Sequence, residues 1–190
     1  MLSVVIFGAP GSGKGTQSDK IIAGYGLAHI STGDVLREEI KKGTDLGKTA
    51  ASYIYEGKLL PDALIIDMLA ARLDAIGAVS GVIYDGFPRT IAQAEALDKM
   101  LASRGEKVDT VIGLEVDEEE LVKRIILRGQ TSGRADDNEV TARKRLDTYH
   151  SQTQPLKEYY IAAGKYASIK GVGAIDDIYS HICQAIDSVK

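Results

Sequence analysis

Leu2-Ser3-Val4-Val5-Ile6-Phe7 runs without a break into Gly8-Ala9-Pro10-Gly11-Ser12-Gly13-Lys14-Gly15-Thr16, and the segment Gln17, Ser18, Asp19, Lys20, Ile21, Ile22 follows. The first run is short, β-branched and bounded by glycine, which predicts a buried parallel strand over Ser3 to Phe7. From Thr16 onward the pattern predicts a helix. Between the two, glycines let the backbone turn its N–H groups inward, the helix N-terminus adds partial positive charge, and Lys14 can reach a terminal phosphate. A glycine-rich turn with an incidental lysine would not require strand, loop, lysine and helix in this order. A nucleoside triphosphate is therefore the expected ligand. One position departs from the general pattern: Gly15 stands where most loops of this kind carry the hydroxyl that ligates magnesium, and Thr16 comes one residue late. A Mg2+ held mainly by the nucleotide's own phosphates and by water, with a carboxylate nearby, fits that departure.

The composition bounds the rest. At 190 residues and 44% hydrophobic, the chain is expected to form one α/β domain with its own core. A net charge of -4 argues against a general nucleic-acid surface. No apolar run is long enough to span a membrane, and Leu2 to Phe7 is too short and lacks the basic start of a secretory signal, so a cytosolic protein without a membrane partner is expected. The single cysteine, Cys183, excludes an internal disulfide and a cysteine-based zinc cluster, and its spacing with Ile182, Ile186 and Val189 predicts packing. His29, His150 and His181 share no ligand-like spacing and read as structural or surface residues.

Strand patterns recur at Leu27 to Ile30, Val82 to Tyr84, Thr110 to Val116 and Tyr166 to Ile169, each followed by a turn and a helical pattern. That alternation predicts a parallel sheet with helices on both faces and functional loops at the carboxyl ends of the strands. Pro61 opens a helical pattern through Leu64, Ile65, Met68, Leu69 and Leu73. The acidic cluster Asp117-Glu118-Glu119-Glu120 is expected to serve a helix dipole in a first turn rather than a site.

Three further stretches carry chemistry. Ser31-Thr32-Gly33-Asp34-Val35-Leu36-Arg37 joins a helix-capping hydroxyl to an arginine about one turn on. Asp85-Gly86-Phe87-Pro88-Arg89-Thr90, with Gln93 beyond it, follows the third strand, where Asp85 is placed to orient magnesium-bound water. Arg124 and Arg128, the glycine-flanked stretch Gly129 to Gly133, and then Arg134, Asp136, Asp137, Arg143, Lys144 and Arg145 suggest arginines on both flanks of a small flexible loop, a clamp able to swing over phosphates.

With these motifs in this order, the chain resembles the adenylate kinases of the short-lid type over essentially all 190 residues. The resemblance implies a P-loop NTPase fold: a three-layer α/β/α domain with a five-stranded parallel sheet, a nucleoside-monophosphate-binding insertion over 31–60, a lid over 125–137, a monomer, and reversible phosphoryl transfer from ATP to AMP giving two ADP. By matching positions, Gly11, Ser12, Gly13, Lys14, Gly15 and Thr16 would hold the ATP phosphates, with Arg128 beside them and Gly173 near the adenine. Thr32, Arg37, Lys58, Leu59, Leu60, Gly86, Phe87, Pro88, Arg89, Gln93, Arg134 and Arg145 would hold AMP, with Gln93 on the adenine edge. Lys14, Arg89, Arg124, Arg128, Arg134 and Arg145 would stabilise the transferred group, Asp85 would meet Mg2+ through water, and Arg128 and Arg134 would draw the lid down. The stretch Gly129-Gln130-Thr131-Ser132-Gly133 has no cysteine or histidine, so no structural zinc is expected. A UMP/CMP kinase and a GTP-dependent AMP kinase remain alternatives, although Thr90 and Gln93 favour adenine at the acceptor. A GTPase-like switch would want an Asn/Thr-Lys-x-Asp tetrapeptide, which does not occur, and an inactive nucleotide-binding module would want a broken phosphate site.

Overall fold

The computed structural model describes residues 1–190. Five strands, β1 (Leu2–Gly8), β2 (Ala28–Ser31), β3 (Gly81–Asp85), β4 (Thr110–Glu115) and β5 (Tyr166–Lys170), form one parallel sheet in the order β2-β3-β1-β4-β5. Each expected strand is found, displaced at its ends by a residue or two. β1 is central, pairing Val4 with Ile83 of β3 and with Thr110 of β4. The strand order reverses beside β1, and the crevice above its carboxyl end is where an open α/β sheet binds ligands.

The period-2 alternation of β1 sorts its side chains between two cores. Val5 and Phe7 face a cluster with Ile30, Tyr84, Leu97 and Val111, whereas Val4 and Ile6 face another with Ile21, Ile112, Ile178 and Ile182. All four are at most 4% exposed, so both layers hold the strand that carries the glycine loop. Burial of each such side chain contributes roughly 1.5–3 kcal/mol.

The helices are α1 (Lys14–Tyr25), α2 (Thr32–Lys42), α3 (Asp45–Tyr55), α4 (Asp62–Ile76), α5 (Ile91–Ala102), α6 (Glu118–Ser132), α7 (Glu139–Thr148), α8 (Pro155–Ala162) and α9 (Ile175–Asp187). Side-chain oxygens start four of them: Ser31 accepts from Asp34 N–H, Thr44 from Gly47, Thr90 from Gln93 and Asn138 from Thr141. Pro61 takes the cap position of α4 rather than its first turn. The acids Glu118, Glu119 and Glu120 occupy the first turn of α6, as their dipole role predicts. α7 runs into a π-helical turn, Tyr149–Thr153. No helix is long and apolar enough to cross a membrane.

Candidate active site

The loop after β1 starts α1 differently from those four helices. Gly13, at φ 95°, takes the cap position and no side chain caps the helix, so its first N–H groups are left for a ligand. Gly11 lies at φ 84°, and a Cβ there would come within 2.8 Å of Leu121 O and 2.9 Å of Ile125 Cγ1. Only glycine lets the loop pass this close to α6. Lys14 Nζ folds back under the loop, donating to Gly8 O at 2.8 Å and Ala9 O at 3.0 Å. Burial lowers its pKa to about 7; Asp85 opposes the shift, and the charges of Arg89, Arg145 and Arg128 add to it.

Asp85 ends β3 beneath this loop. Ser18 Oγ donates to its Oδ2 at 3.5 Å, and His29 Nε2 stands 3.7 Å away on the neighbouring strand. Burial alone would raise the carboxyl, yet His29, Lys14 and Arg89 together hold it below the ordinary carboxylate range. Asp85 in turn raises the His29 imidazole against the opposing effect of burial. No group of three or more His, Cys, Asp or Glu is placed to hold a metal ion. One ionised carboxylate at a strand end suits a hydrated Mg2+ brought in by a nucleotide, touched through water.

Two clefts open from this floor. The first is lined by the loop from Gly11 to Thr16, by Arg124, Arg128 and Arg134, and at its far end by Gly171, Gly173, Ile175 and Ile178. The second has an apolar wall of Leu36, Ile54, Leu60, Ile65 and Phe87, with Thr32, Lys58, Leu59, Pro88 and Gln93 around it. Thr32 Oγ1 and Arg89 Nε both donate to Gly86 O at 2.8 Å, tying the start of α2 to the loop after β3. The Phe87–Pro88 peptide is cis. Thr148 Oγ1 donates to Gly57 O at 2.8 Å, so α7 closes one side of this cleft.

Lys14, Arg37, Arg89 and Arg145 line both clefts, together with Pro10, Gly33 and Gly86. Arg89 is buried enough to lower its pKa, and burial brings Arg145 down to about 10, with Asp136 opposing; both stay charged at neutral pH. Three guanidinium cations and the Lys14 amine, which titrates near neutrality, thus stand at the junction of two chambers.

The arginines of α6 and α7 are held by carboxylates. Arg128 grips Asp137 through two bonds, Nε to Oδ2 at 2.7 Å and Nη2 to Oδ1 at 2.6 Å, leaving Nη1 free of protein partners. Arg145 donates to Asp136 at 2.9 Å, and Arg124 to Glu120 at 2.8 Å and Gly171 O at 3.1 Å. Arg134 lies 3.9 Å from Asp34, which also holds Arg37 at 2.5 Å. One expectation is corrected here. The stretch Gly129 to Gly133 is not a flexible loop: α6 continues to Ser132, and Gly133 ends it at φ 66°. Arg134, grouped by resemblance with the acceptor side, lines the first cleft and not the second. The other expected site residues line one of the two clefts, and Lys14, Arg37, Arg89 and Arg145 line both. Sequence reading set His29 down as a structural or surface residue and passed over Asp62, Tyr149 and Thr153. His29 and Asp62 carry no motif, and Tyr149 and Thr153 sit at the two ends of a π-helical turn that no pattern announces.

A phosphate-binding loop beside a second cleft, with cations at the common wall, defines a P-loop phosphotransferase. Comparisons with known proteins agree. A family model described as adenylate kinase matches residues 6–165. The chain is 62% identical over 189 residues to the adenylate kinase of Phocaeicola vulgatus and 60% identical over 189 residues to that of Bacteroides thetaiotaomicron, each covering 100% of both chains. It is 50% identical over 190 residues to that of Porphyromonas gingivalis, covering 100% of this chain and 98% of the relative. The chain belongs to the adenylate kinase family and is a nucleotide-binding enzyme.

Proposed function

We propose that the protein transfers the γ-phosphoryl group of ATP to AMP, reversibly, giving two ADP. The observation that carries this reading is the wall of Lys14, Arg37, Arg89 and Arg145 shared by the two clefts. ATP lies in the first cleft, with its phosphates on the N–H groups of Gly11 to Thr16 and its adenine toward Gly173. AMP lies in the second, its phosphate on Arg37 and Arg89 and its base near Gln93. The attacking atom is an AMP phosphate oxygen, which with a second pKa of about 6 is already ionised at neutral pH, so no general base is needed. The cations offset the repulsion between two anionic substrates and stabilise charge spread over the transferring group's equatorial oxygens. Asp85 would hold, through water, a Mg2+ bound with ATP, which would supply charge neutralisation on the phosphates.

Residues 31–60 act as the monophosphate-binding insertion and 125–137 as the lid. Arg128, with Nη1 free, and Arg134 contact the triphosphate as these segments close, which keeps water from competing with AMP. The enzyme works as a cytosolic monomer without structural zinc; stoichiometric zinc on elemental analysis would contradict that part. Turnover measured for AMP, CMP, UMP and GMP with ATP and GTP as donors tests the substrate assignment. AMP with ATP is expected to lead; a preference for CMP or UMP would overturn it in favour of a pyrimidine-nucleotide kinase.

Lys14 supplies a pH-dependent signature. With a pKa near 7 in the empty site, its amine is largely neutral at pH 8 and charged at pH 6. A bound polyanion favours the charged form, so MgATP binding takes up about one proton at pH 8 and progressively less toward pH 6. Calorimetry in buffers of different ionisation enthalpy reads this directly, and Lys14→Met removes it. Equal uptake by the parent and Lys14→Met at pH 8 would place the titrating group elsewhere.

A further inference from the structure

Gln93 is buried, and both ends of its amide are already engaged by the protein. Its Oε1 accepts from Arg89 N–H at 2.8 Å, and its Nε2 donates to Asp62 Oδ1 at 2.9 Å. A backbone N–H can only donate and a carboxylate can only accept, so these partners settle which end of the amide is which. What remains for the second cleft is one N–H on Nε2 and one lone pair on Oε1, in a fixed order.

Asp62 opens α4, where an acid in the first turn would ordinarily be credited to the helix dipole. Here its Oδ1 reaches across to α5, accepting from Thr90 Oγ1 at 3.0 Å as well as from Gln93. Thr90 caps α5 through Gln93 N–H at 3.2 Å, so Asp62, Thr90 and Gln93 form one closed set of bonds.

We infer that Asp62 is a positioning residue for acceptor-base specificity: it locks the Gln93 amide in the orientation that complements adenine and rejects 6-oxopurines. This inference rests on the reading of the second cleft as the AMP site. Adenine offers a donor at position 6 beside an acceptor ring nitrogen, which matches a fixed lone pair beside a fixed N–H. Hypoxanthine and guanine carry an acceptor oxygen at position 6. To match it, the amide would have to turn over, setting Nε2 against Arg89 N–H and Oε1 against the Asp62 carboxylate. Two like-polarity contacts oppose that turn, and Asp62 supplies one of them.

The test compares AMP with IMP, which differs at position 6 without the extra amine of GMP. Asp62→Ala is expected to narrow the AMP:IMP ratio of kcat/KM by about tenfold, the worth of one typical hydrogen bond, and to raise KM for AMP several-fold. KM for ATP and kcat at saturating AMP stay within about twofold. Asp62→Asn can turn its own amide and donate where the carboxylate can only accept, so it is expected to narrow the ratio in the same direction. Both substrates are measured on the same preparation, so the ratio is indifferent to the folded fraction. A parental ratio in Asp62→Ala overturns the inference. Gln93→Ala separates this from the underlying reading. If it leaves KM for AMP and the ratio unchanged, the second cleft is not where the acceptor base is read. If it collapses the ratio while Asp62→Ala does not, only the role of Asp62 falls.

Discussion

Arg89→Ala is expected to lower kcat/KM for ADP formation by about 10²–10³-fold, the loss typical of removing one preorganised group that meets developing charge. Arg89 lines both clefts, is partly buried, and is aimed by its Nε bond to Gly86 O. Its charge therefore acts where the phosphoryl group passes, without reorganisation. Arg89→Lys keeps a positive charge but not the planar fork, and is expected to recover no more than about tenfold. Steady-state kinetics on both variants checks this, with circular dichroism confirming the fold. Turnover of Arg89→Ala within tenfold of the parent would place the transfer elsewhere.

Arg145→Ala is expected to act on both stability and turnover. The Arg145 and Asp136 side chains are 19% and 7% exposed, and Asp137, fully buried, lies 3.5 Å from the same Nη1. Removing the guanidinium leaves Asp136 without its ion-pair partner, which for a buried pair costs about 3–5 kcal/mol. In a protein of this size that lowers Tm by roughly 6–20 °C. Removing Asp136 as well, in Arg145→Ala/Asp136→Ala, is expected to recover much of the stability, because no buried charge is then left unpaired. It is not expected to recover turnover, because the cation at the junction is still missing. Thermal melts and kinetics on the two variants separate these roles; recovery of activity in the double variant would make Arg145 a purely structural residue.

Much of this site was legible because its chemistry is local in sequence. The glycine loop lies within nine residues of β1, and Asp85, Gly86 and Arg89 lie at or just after the end of β3, so the parallel-sheet rule alone brings them to one edge. What stayed hidden depends on packing between distant segments. Asp62 and Gln93 meet across a 31-residue separation, on helices whose relative placement no local pattern states. His29 reaches Asp85 because β2 pairs with β3, with Ser31 opposite Asp85, a neighbour relation set by strand order. Gly129 misled for a different reason. A glycine in a helical pattern suggests a break, yet a Cβ there would lie 2.2 Å from Asp137 O. The residue permits the loop that carries Asp137 to press onto α6, at a helix-propensity cost of about 1 kcal/mol. The same contact helps place the Asp137 carboxylate against Arg128.

The central claim is that two nucleotide clefts meet at one cationic wall. A dinucleotide of two adenosines joined by a polyphosphate chain tests it most directly, by titration calorimetry alone and in competition with ATP and with AMP. The account predicts one dinucleotide per chain, displacing both nucleotides, with affinity reduced by at least tenfold in Arg89→Ala. Two dinucleotides per chain, or displacement of ATP while AMP still binds, would contradict it.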